Sequence, residues 1–420
     1  MPQQTIEALD IRLYDKQVAV QTHYAGSRNR LVFSPDYIAI PSNHQETFTL
    51  AQLAGKNYFE QVRSYQLRLD PVLSNLLPEG SLREWMAKQL KIHIDDEFAF
   101  LACTGADLPG AISALPLAAQ NIPDWALPEN SRTEPVTLET SRYKLHFSLA
   151  GVQMKFSGIH QDGRYRIGSS DGNDYWIVKT PSTVHSHVPE NEYTSMRLAE
   201  AAGVYIPEIR LVPLSAVDNL PDIRLPDEKY AYAIRRFDRQ QDQRIHSEDF
   251  AQIFALYPHN KYGSANYEQI GRTIYRFSRN GLADLQQMAR RLLVNILLAN
   301  GDAHIKNWSV VYPDRIYPEL APAYDIVSTL PYIPDETEIA LNLARQKNWY
   351  ICSMEHFEKW TERIGAPWPA IRVHLVDVMT KARDIWPNLL GELPMEEKHK
   401  ISLQSHWNKL HPDFVIGKLK

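Results

Sequence analysis

Asp302 and Asn307 are two polar residues whose types and spacing could support phosphoryl transfer. Four residues separate them in the segment 300–307, directly after a long apolar stretch. A carboxylate can accept the proton of a substrate hydroxyl, and a nearby amide oxygen can bind Mg²⁺. The same D-x-x-x-x-N spacing occurs in the catalytic loop of protein kinases. The alternative is a helix that ends at Asn300-Gly301 and continues as a polar turn, because Asn, Gly and Asp are common turn residues.

Asp325 is a second candidate, eighteen residues beyond Asn307. It interrupts the apolar segment 323–327, which is typical of a β-strand. A carboxylate in such surroundings is costly unless it is paired or bound to a metal ion. It could therefore be a second Mg²⁺ ligand, or an aspartate that accepts hydrogen bonds from local backbone donors.

Lys179 ends a short strand-like segment, 175–179, whose two faces are both predicted to be buried. Buried lysines are rare unless they are paired, and a lysine in this position could contact ATP phosphates. Its preferred partner is Glu192, ahead of Glu190, at the start of the next predicted helix. Alternatively, Lys179 extends to water from an edge strand, and the two glutamates only complement the helix dipole.

The segments that would position these residues occur in the order found in kinases. The chain contains no G-x-G-x-x-G motif, but the turn 148–155 could hold phosphates with its backbone amides and with Lys155. Alternating residues predict a small antiparallel sheet over 10–34 and strands at 143–149, 174–181 and 229–237. Helical periodicity predicts helices at 189–202, 282–299, 354–364, 369–386 and 395–410.

These elements predict an α+β, two-lobed fold of the protein-kinase type. The predicted units are a small α/β amino-terminal subdomain over residues 1–115, a proline-rich linker over 116–140, a strand-rich lobe over 141–238 and an all-helical lobe over 239–420. The length of 420 residues suits two or three domains.

The composition and net charge limit the partners and the cellular compartment that can be expected for this protein. The chain has 45 Lys and Arg against 50 Asp and Glu, so its net charge is −5 and it is not expected to hold nucleic acid by itself. Two cysteines cannot form a disulfide framework, and no signal peptide or membrane-spanning stretch is visible. We therefore expect a cytoplasmic protein that does not associate with membranes.

The chain resembles the HipA toxins, which are serine/threonine kinases of bacterial type II toxin–antitoxin modules. The resemblance covers nearly the whole length. It is carried by the motifs NLLPEG (75–80), LPGAI (108–112), SLAGVQMK (148–155), WIVKTP (176–181), PENEY (189–193), RRFDR (235–239), NGDAHIKN (300–307) and AYDIVS (323–328).

The resemblance implies a role for each matching residue. Asp302 would be the catalytic base, with His304 and Lys306 beside the phosphates, and Asn307 and Asp325 would bind Mg²⁺. Glu192 would pair with Lys179, and Ser148 would be the site of inactivating autophosphorylation. The cofactor-binding residues implied for ATP are Ala150, Gly151, Val152, Gln153, Met154, Lys155 and Lys179, then Arg235, Arg236 and Phe237 of the hinge, and Tyr324 and Asp325.

Two residues depart from the family pattern. Met154 and Arg235 each stand where the family commonly has an acidic residue. Neither position is catalytic, so we expect these changes to affect antitoxin contacts or substrate choice.

The resemblance also implies partners. These are a HipB-like helix-turn-helix antitoxin dimer, operator DNA within the toxin–antitoxin complex, and a protein substrate of the aminoacyl-tRNA synthetase class. Glutamyl-tRNA synthetase is the family's best-known target; its phosphorylation implies a loss of charged tRNA that halts translation and favours persistence. Two alternatives stay open from the residues: a lipid or small-molecule kinase with the D-x-H-x-x-N loop, and a non-catalytic corepressor scaffold.

Overall fold

The computed structural model describes residues 3–55, 57–61, 63–127, 133–139, 154–168, 174–221, 223–241 and 243–417. Its amino-terminal part is an antiparallel sheet with helices packed against it. Gly26, at φ +75°, makes the turn between two of the strands. The predicted antiparallel arrangement over 10–34 is confirmed. The strands are β1 (Gln3–Ile6), β2 (Ala8–Leu13), β3 (Lys16–Tyr24), β4 (Arg28–Phe33), β5 (Arg63–Gln66) and β6 (Ile112–Leu117), and the helices are α1 (Pro35–Ile38), α2 (Leu50–Ala54), α3 (Pro71–Ser74), α4 (Gly80–Leu90) and α5 (Glu97–Thr104).

The sheet of this part has the order β5-β4-β3-β2-β6, and its buried side chains belong to a hydrophobic cluster that continues into the strand-rich lobe. Apolar side chains of β2 pack with Phe98 and Leu101 of α5, and all of them are fully buried. The following proline-rich segment contributes β7 (Val136–Glu139), which pairs antiparallel with β1. Ile122 and Ala126 of the same segment pack on the amino-terminal sheet, so its described residues lie against this part of the molecule.

A six-stranded sheet forms the strand-rich lobe, in the order β11-β13-β10-β8-β9-β12. The predicted strands at 174–181 and 229–237 and the predicted helix at 189–202 are present, whereas 143–149 lies outside the described residues. The elements are β8 (Lys155–Gln161), β9 (Arg164–Ile167), β10 (Tyr175–Lys179), α6 (Val188–Ala201), β11 (Ile209–Pro213), β12 (Val217–Asp218) and β13 (Tyr230–Arg235).

Helices packed around α9 form most of the remaining chain. The buried face of α9 includes Leu285, Leu292 and Ile296, as its helical periodicity predicts. The elements are β14 (Arg239–Gln240), β15 (Gln243–Arg244), β16 (His246–Asp249), α7 (Phe250–Ile253), α8 (Tyr267–Phe277), α9 (Gly281–Leu297), β17 (Ser309–Tyr312), β18 (Glu319–Leu320), β19 (Glu338–Leu343), β20 (Gln346–Asn348), α10 (Met354–Ile364), α11 (Trp368–Glu392) and α12 (Glu397–Lys409).

The two-lobed α+β architecture is confirmed, but the prediction that the second lobe is all-helical is wrong. A three-stranded sheet, β16-β17-β18, and the two-stranded sheets β14-β15 and β19-β20 lie within it. Their strands have two to six residues, and segments this short give little periodicity to recognise. The segment 323–327 is not the strand we expected, because Asp325 adopts φ +53°, which interrupts an extended backbone. Helix α11 runs past its predicted end at 386 and continues through Pro387.

Candidate active site

A cleft of about 580 Å³ lies where the two lobes and the amino-terminal subdomain meet. Its lining includes residues of all three parts, among them Glu79, Lys179 and Asp302. A cavity of this size that contains several charged groups is typical of a small-molecule site.

The loop after α9 places Asp302 and Asn307 at the cleft. Glu336 packs against Gly301 at the start of this loop, where a Cβ would lie 2.1 Å from its Oε1, so a larger residue would require the Glu336 side chain to move. The loop closes on itself, since the backbone amide of His304 donates to the Asp302 carbonyl at 2.7 Å. Nδ2 of Asn307 donates to the same carbonyl at 2.7 Å. The amide nitrogen of Asn307 is thereby used, and its oxygen is the atom that could bind a cation.

The Asp302 carboxylate lies at the mouth of the cleft. The hydroxyl of Tyr262 donates to its Oδ1. The surrounding protein displaces water from this carboxylate and raises the pKa of Asp302. A carboxylate with a raised pKa is a better proton acceptor than an ordinary aspartate.

His304 lies beside Asp302 and is buried. Its Nε2 is 3.8 Å from Oδ1 of Asp302, and its ring packs edge-on against Tyr262. Burial, together with the positive charges of Lys261 and Lys306, lowers the pKa of His304 to about 3. The imidazole is therefore neutral at physiological pH, so it could donate or accept a hydrogen bond but adds no positive charge to the site.

Lys179, on strand β10, contacts one carboxylate on helix α6 and another in the segment that follows β18. Its Nζ lies 2.5 Å from Oε1 of Glu192 on α6 and also contacts Oδ1 of Asp325. Nζ of Lys155, on the adjacent strand β8, is 3.5 Å from Oδ2 of Asp325. Two lysines and two carboxylates therefore meet in one buried cluster.

The charges of this cluster set its pKa values. Burial alone would raise the pKa of Asp325, but Lys155 and Lys179 hold it well below its usual range. Burial also opposes the charge of Lys179, yet Asp325 and Glu192 raise the pKa of that ammonium. Burial outweighs the lysine at Glu192, whose pKa is raised, and it lowers the pKa of Lys155. Asp325 and Lys179 are thus the members held most firmly in their charged forms.

Lys306 is arranged differently from what we expected. Its ammonium donates to the carbonyl and to Oδ1 of Asn75, at 3.0 and 2.8 Å, and to Oδ2 of Asp249 at 3.0 Å. Oε1 of Glu79 is 3.3 Å away. The structure therefore places Lys306 in contacts with the amino-terminal subdomain and β16, although it also lines the cleft.

The hinge segment 235–237 lines the same cleft. The backbone amides of Arg235 and Arg236 already donate to the carbonyls of Glu208 and Tyr175. The Arg236 guanidinium is buried in a two-bond contact with Asp238, at 2.7 and 2.8 Å. Contact of this segment with adenine would therefore have to use its carbonyls or the amide of Phe237.

Two further residues expected at the nucleotide site pack against each other. The rings of Phe237 and Tyr324 lie 5.7 Å apart, and the Tyr324 hydroxyl donates to the carbonyl of Lys306 at 2.9 Å. The Met154 carbonyl accepts from the backbone amide of Thr180 at 3.1 Å. Ser148, Ala150, Gly151, Val152 and Gln153 lie outside the described residues.

The sequence analysis missed several residues that contact the site. Tyr262 and Glu336 lie in segments without a recognisable motif, and nothing in the sequence indicates their contacts. Asn75 and Glu79 belong to the motif NLLPEG, which could have indicated them, because a polar residue kept within an apolar motif suggests a specific contact.

Comparison with known proteins agrees with this geometry. A family model described as the HipA N-terminal domain matches residues 9–115, and one described as the HipA-like C-terminal domain matches residues 147–386. The inferred kinase Y4dM of Sinorhizobium fredii is 36% identical over 409 residues, which is 97% of each chain. The serine/threonine-protein kinase toxin HipA of Shewanella oneidensis is 25% identical over 367 residues, 80% of each chain.

A solved structure shows the same fold. It is the complex of HipA, HipB and operator DNA from Shewanella oneidensis MR-1, which has a TM-score of 0.67 and 20% identity and covers 96% of this chain and 97% of that one. The two-lobed fold and the matches together define a kinase. The chain belongs to the HipA family.

Proposed function

We propose that the protein is an ATP-dependent serine/threonine protein kinase that acts as the toxin of a HipBA-type toxin–antitoxin system. The observation that carries this proposal is the single cleft around which Lys179, Asp302, Asn307 and Asp325 are gathered. A protein that served only as a scaffold would not need this combination of charged groups in one cavity.

Each residue has a role that its contacts support. Asp302, oriented by the Tyr262 hydroxyl and with a raised pKa, would accept the proton of the substrate hydroxyl. Lys179, held by Glu192, would bind the phosphates of ATP. The described part of the phosphate loop contributes Lys155, whose ammonium faces the same carboxylate as Lys179.

The donor set also suits Mg²⁺. Asn307 offers an amide oxygen and Asp325 a carboxylate, and Mg²⁺ prefers such oxygen ligands together with those of phosphates. Asp325 stays ionised because of its two lysine neighbours, so it can bind a cation throughout the physiological pH range. Bound Mg²⁺ would supply neutralisation of the negative charge on the transferred phosphoryl group.

The family relationship supports the finer parts of the proposal. We propose autophosphorylation at Ser148, because a phosphate of about two negative charges beside the phosphate loop would repel ATP. The Shewanella oneidensis complex contains HipB and operator DNA, and we propose an equivalent antitoxin and DNA for this chain. With a net charge of −5, the protein would reach DNA mainly through a basic partner. Its substrate would be an aminoacyl-tRNA synthetase, by analogy glutamyl-tRNA synthetase, and the cellular outcome persistence.

The full chain should incorporate labelled phosphate when it is incubated with Mg²⁺ and labelled ATP, with the label on Ser148. Asp302→Asn should lower the incorporation by about 10²- to 10⁴-fold, which is the usual contribution of a positioned base. Phosphoamino-acid analysis and peptide mass spectrometry identify the modified residue. Asp384→Asn, on an exposed part of α11, is the matched control and should leave the rate unchanged.

Expression in growing cells tests the toxin role separately. The wild type should arrest growth, and Asp302→Asn should not. Equal toxicity of the two would instead support a protein that acts by binding alone. Label that passes to lipid vesicles but never to protein would favour the lipid-kinase alternative.

A further inference from the structure

A histidine and two glutamates meet at the start of α6, outside the cleft. Potential metal-binding atoms of His187, Glu190 and Glu228 all lie within 4.8 Å of one another. Nδ1 of His187 is 3.6 Å from Oε1 of Glu190, and the backbone amide of His187 donates to Oε1 of Glu228 at 3.1 Å. The three residues come from two separate segments, one at the helix start and one before β13.

The two carboxylates lack compensation within the described part of the chain. Glu190 is only 8% exposed, and its Oε2 is buried without a hydrogen-bond partner there. Oε2 of Glu228 is likewise buried and unpartnered among the described residues, and no described lysine or arginine lies within 4.0 Å of either carboxylate. Buried carboxylates are unfavourable in this situation, and a bound cation would satisfy both of them.

The donor set indicates which cation. One imidazole nitrogen and two carboxylate oxygens are ligands typical of Zn²⁺, whereas Mg²⁺ and Ca²⁺ prefer oxygen alone. Ligands of a tetrahedral Zn²⁺ lie roughly 3.3–3.5 Å apart, given bonds of about 2.0–2.2 Å, so small side-chain rotations would bring these atoms into range. The His187 side chain is 43% exposed, which leaves a path for the ion and space for a water as fourth ligand.

We propose that His187, Glu190 and Glu228 form a Zn²⁺ site that fixes the first turn of α6. Asn191 and Glu192, the partner of Lys179, follow directly after Glu190 in the same helix. The Asn191 side chain exchanges two hydrogen bonds with the backbone of Ser328, at 2.9 and 3.1 Å, close to Asp325. The ion would therefore stabilise the part of α6 that positions the charged cluster of the cleft.

The test is direct Zn²⁺ binding to the full chain without a histidine tag. Competition with a chromophoric zinc chelator, in excess Mg²⁺ to occupy oxygen-only sites, gives stoichiometry and affinity. We expect one Zn²⁺ per wild-type chain, with the affinity reduced at least about 10-fold by His187→Gln and by Glu228→Gln. We also expect Zn²⁺ to raise the unfolding temperature of the wild type but not that of the two variants.

His185→Gln is the matched control, because this neighbouring histidine contacts Tyr332 and is not part of the cluster. It should bind Zn²⁺ as the wild type does. Absence of binding to the wild type, or equal binding by the wild type, His187→Gln and Glu228→Gln, would overturn the proposal. Neither result depends on kinase activity, so the site and the proposed function can fail separately.

Discussion

Lys179 and Lys306 both line the cleft and have closely similar surroundings. Both are buried, and each ammonium contacts two carboxylates. The pKa of each is raised, because the carboxylates outweigh the cost of burial. By local environment alone, the two lysines could not be assigned different roles.

The residues that contact the two lysines come from different parts of the chain. Lys179 contacts Glu192 and Asp325, both within the kinase-like part of the chain. Lys306 contacts Asp249 of that part, but also Asn75 and Glu79 of the amino-terminal subdomain. One lysine therefore joins elements around the proposed nucleotide site, whereas the other joins the proposed catalytic loop to the amino-terminal subdomain.

Other contacts strengthen the attachment of the amino-terminal subdomain. Glu248 of β16 accepts hydrogen bonds from Thr49 and from the backbone amide of Leu50. Asp238 accepts from the backbone amide of Gly110 at 2.8 Å. Gly110 must be glycine, since it has φ +72° and a Cβ there would lie 2.7 Å from the Ser247 amide nitrogen. We infer that these contacts hold the amino-terminal subdomain against the rest of the chain and stabilise the loop 300–307.

Lys306→Met should have the largest effect on stability. It removes the ammonium that contacts Glu79 and Asp249, with Lys261 still 3.9 Å from Glu79, and breaking such a buried contact typically costs about 3–5 kcal/mol. Urea unfolding of the full chain measures the loss. Lys347→Met is the control, because Lys347 pairs with Glu338 on the surface and should cost no more than about 1 kcal/mol. A variant that keeps its stability but loses phosphoryl transfer would instead support the catalytic position beside the phosphates that we first expected for Lys306.

Lys179→Met should have its largest effect on catalysis. We expect phosphoryl transfer to fall by about 10²- to 10³-fold, since a preorganised charge that stabilises the transition state is removed. Stability should fall less than in Lys306→Met, because Lys306→Met also removes two hydrogen bonds to Asn75, which join the loop 300–307 to the amino-terminal subdomain. Comparing the two variants by labelled-ATP assay and by unfolding checks this. Equal losses in both measurements would contradict the separation of roles.

The contacts of the two lysines also differ in how far they could be predicted from the sequence. Lys179 and Glu192 lie thirteen residues apart on a short strand and the next helix, so their pairing could be predicted from the need of a buried lysine for a nearby carboxylate. Lys306 and Asn75 are 231 residues apart, and only the packing of the amino-terminal subdomain against the rest of the chain brings them together. The motif NLLPEG could single out Asn75 and Glu79, but no local pattern identifies Lys306 as their partner, which is why these contacts were missed.

The contacts of Asp302 and Asn307 could be predicted from the sequence only in part. The spacing of Asp302 and Asn307 follows from the closing of one short loop, which makes it visible in the sequence. The Asp302 contact with Tyr262 depends on a segment forty residues away that has no motif. The left-handed backbone at Asp325 was also missed, because its apolar neighbours favour a strand while tertiary contacts with Lys155 and Lys179 determine its conformation.

The pH dependence of the stability of Glu248→Gln tests how the amino-terminal subdomain is attached, because Glu248 contacts Thr49 and Leu50 of that subdomain. Burial raises the pKa of Glu248 to about 7, although the hydrogen bonds from Tyr312, Thr49 and Leu50 oppose the shift. Between the ordinary glutamate value and pH 7, the native state therefore holds a proton that the unfolded state has lost. The stability contributed by Glu248 is complete below this range and falls as the pH rises, by up to about 3 kcal/mol.

The measurement is the difference in unfolding free energy between the wild type and Glu248→Gln across this range. Groups common to both proteins cancel in that difference. These include His246, whose pKa burial lowers to about 4 and whose effect has the opposite sign. The glutamine variant, which stays neutral, should gain stability relative to the wild type as the pH rises. Glu355→Gln, at an exposed pair with Lys359, should give a nearly constant difference. Parallel curves for the wild type and Glu248→Gln would mean that Glu248 is ionised in the native protein, and that Thr49 and Leu50 are held by a charge.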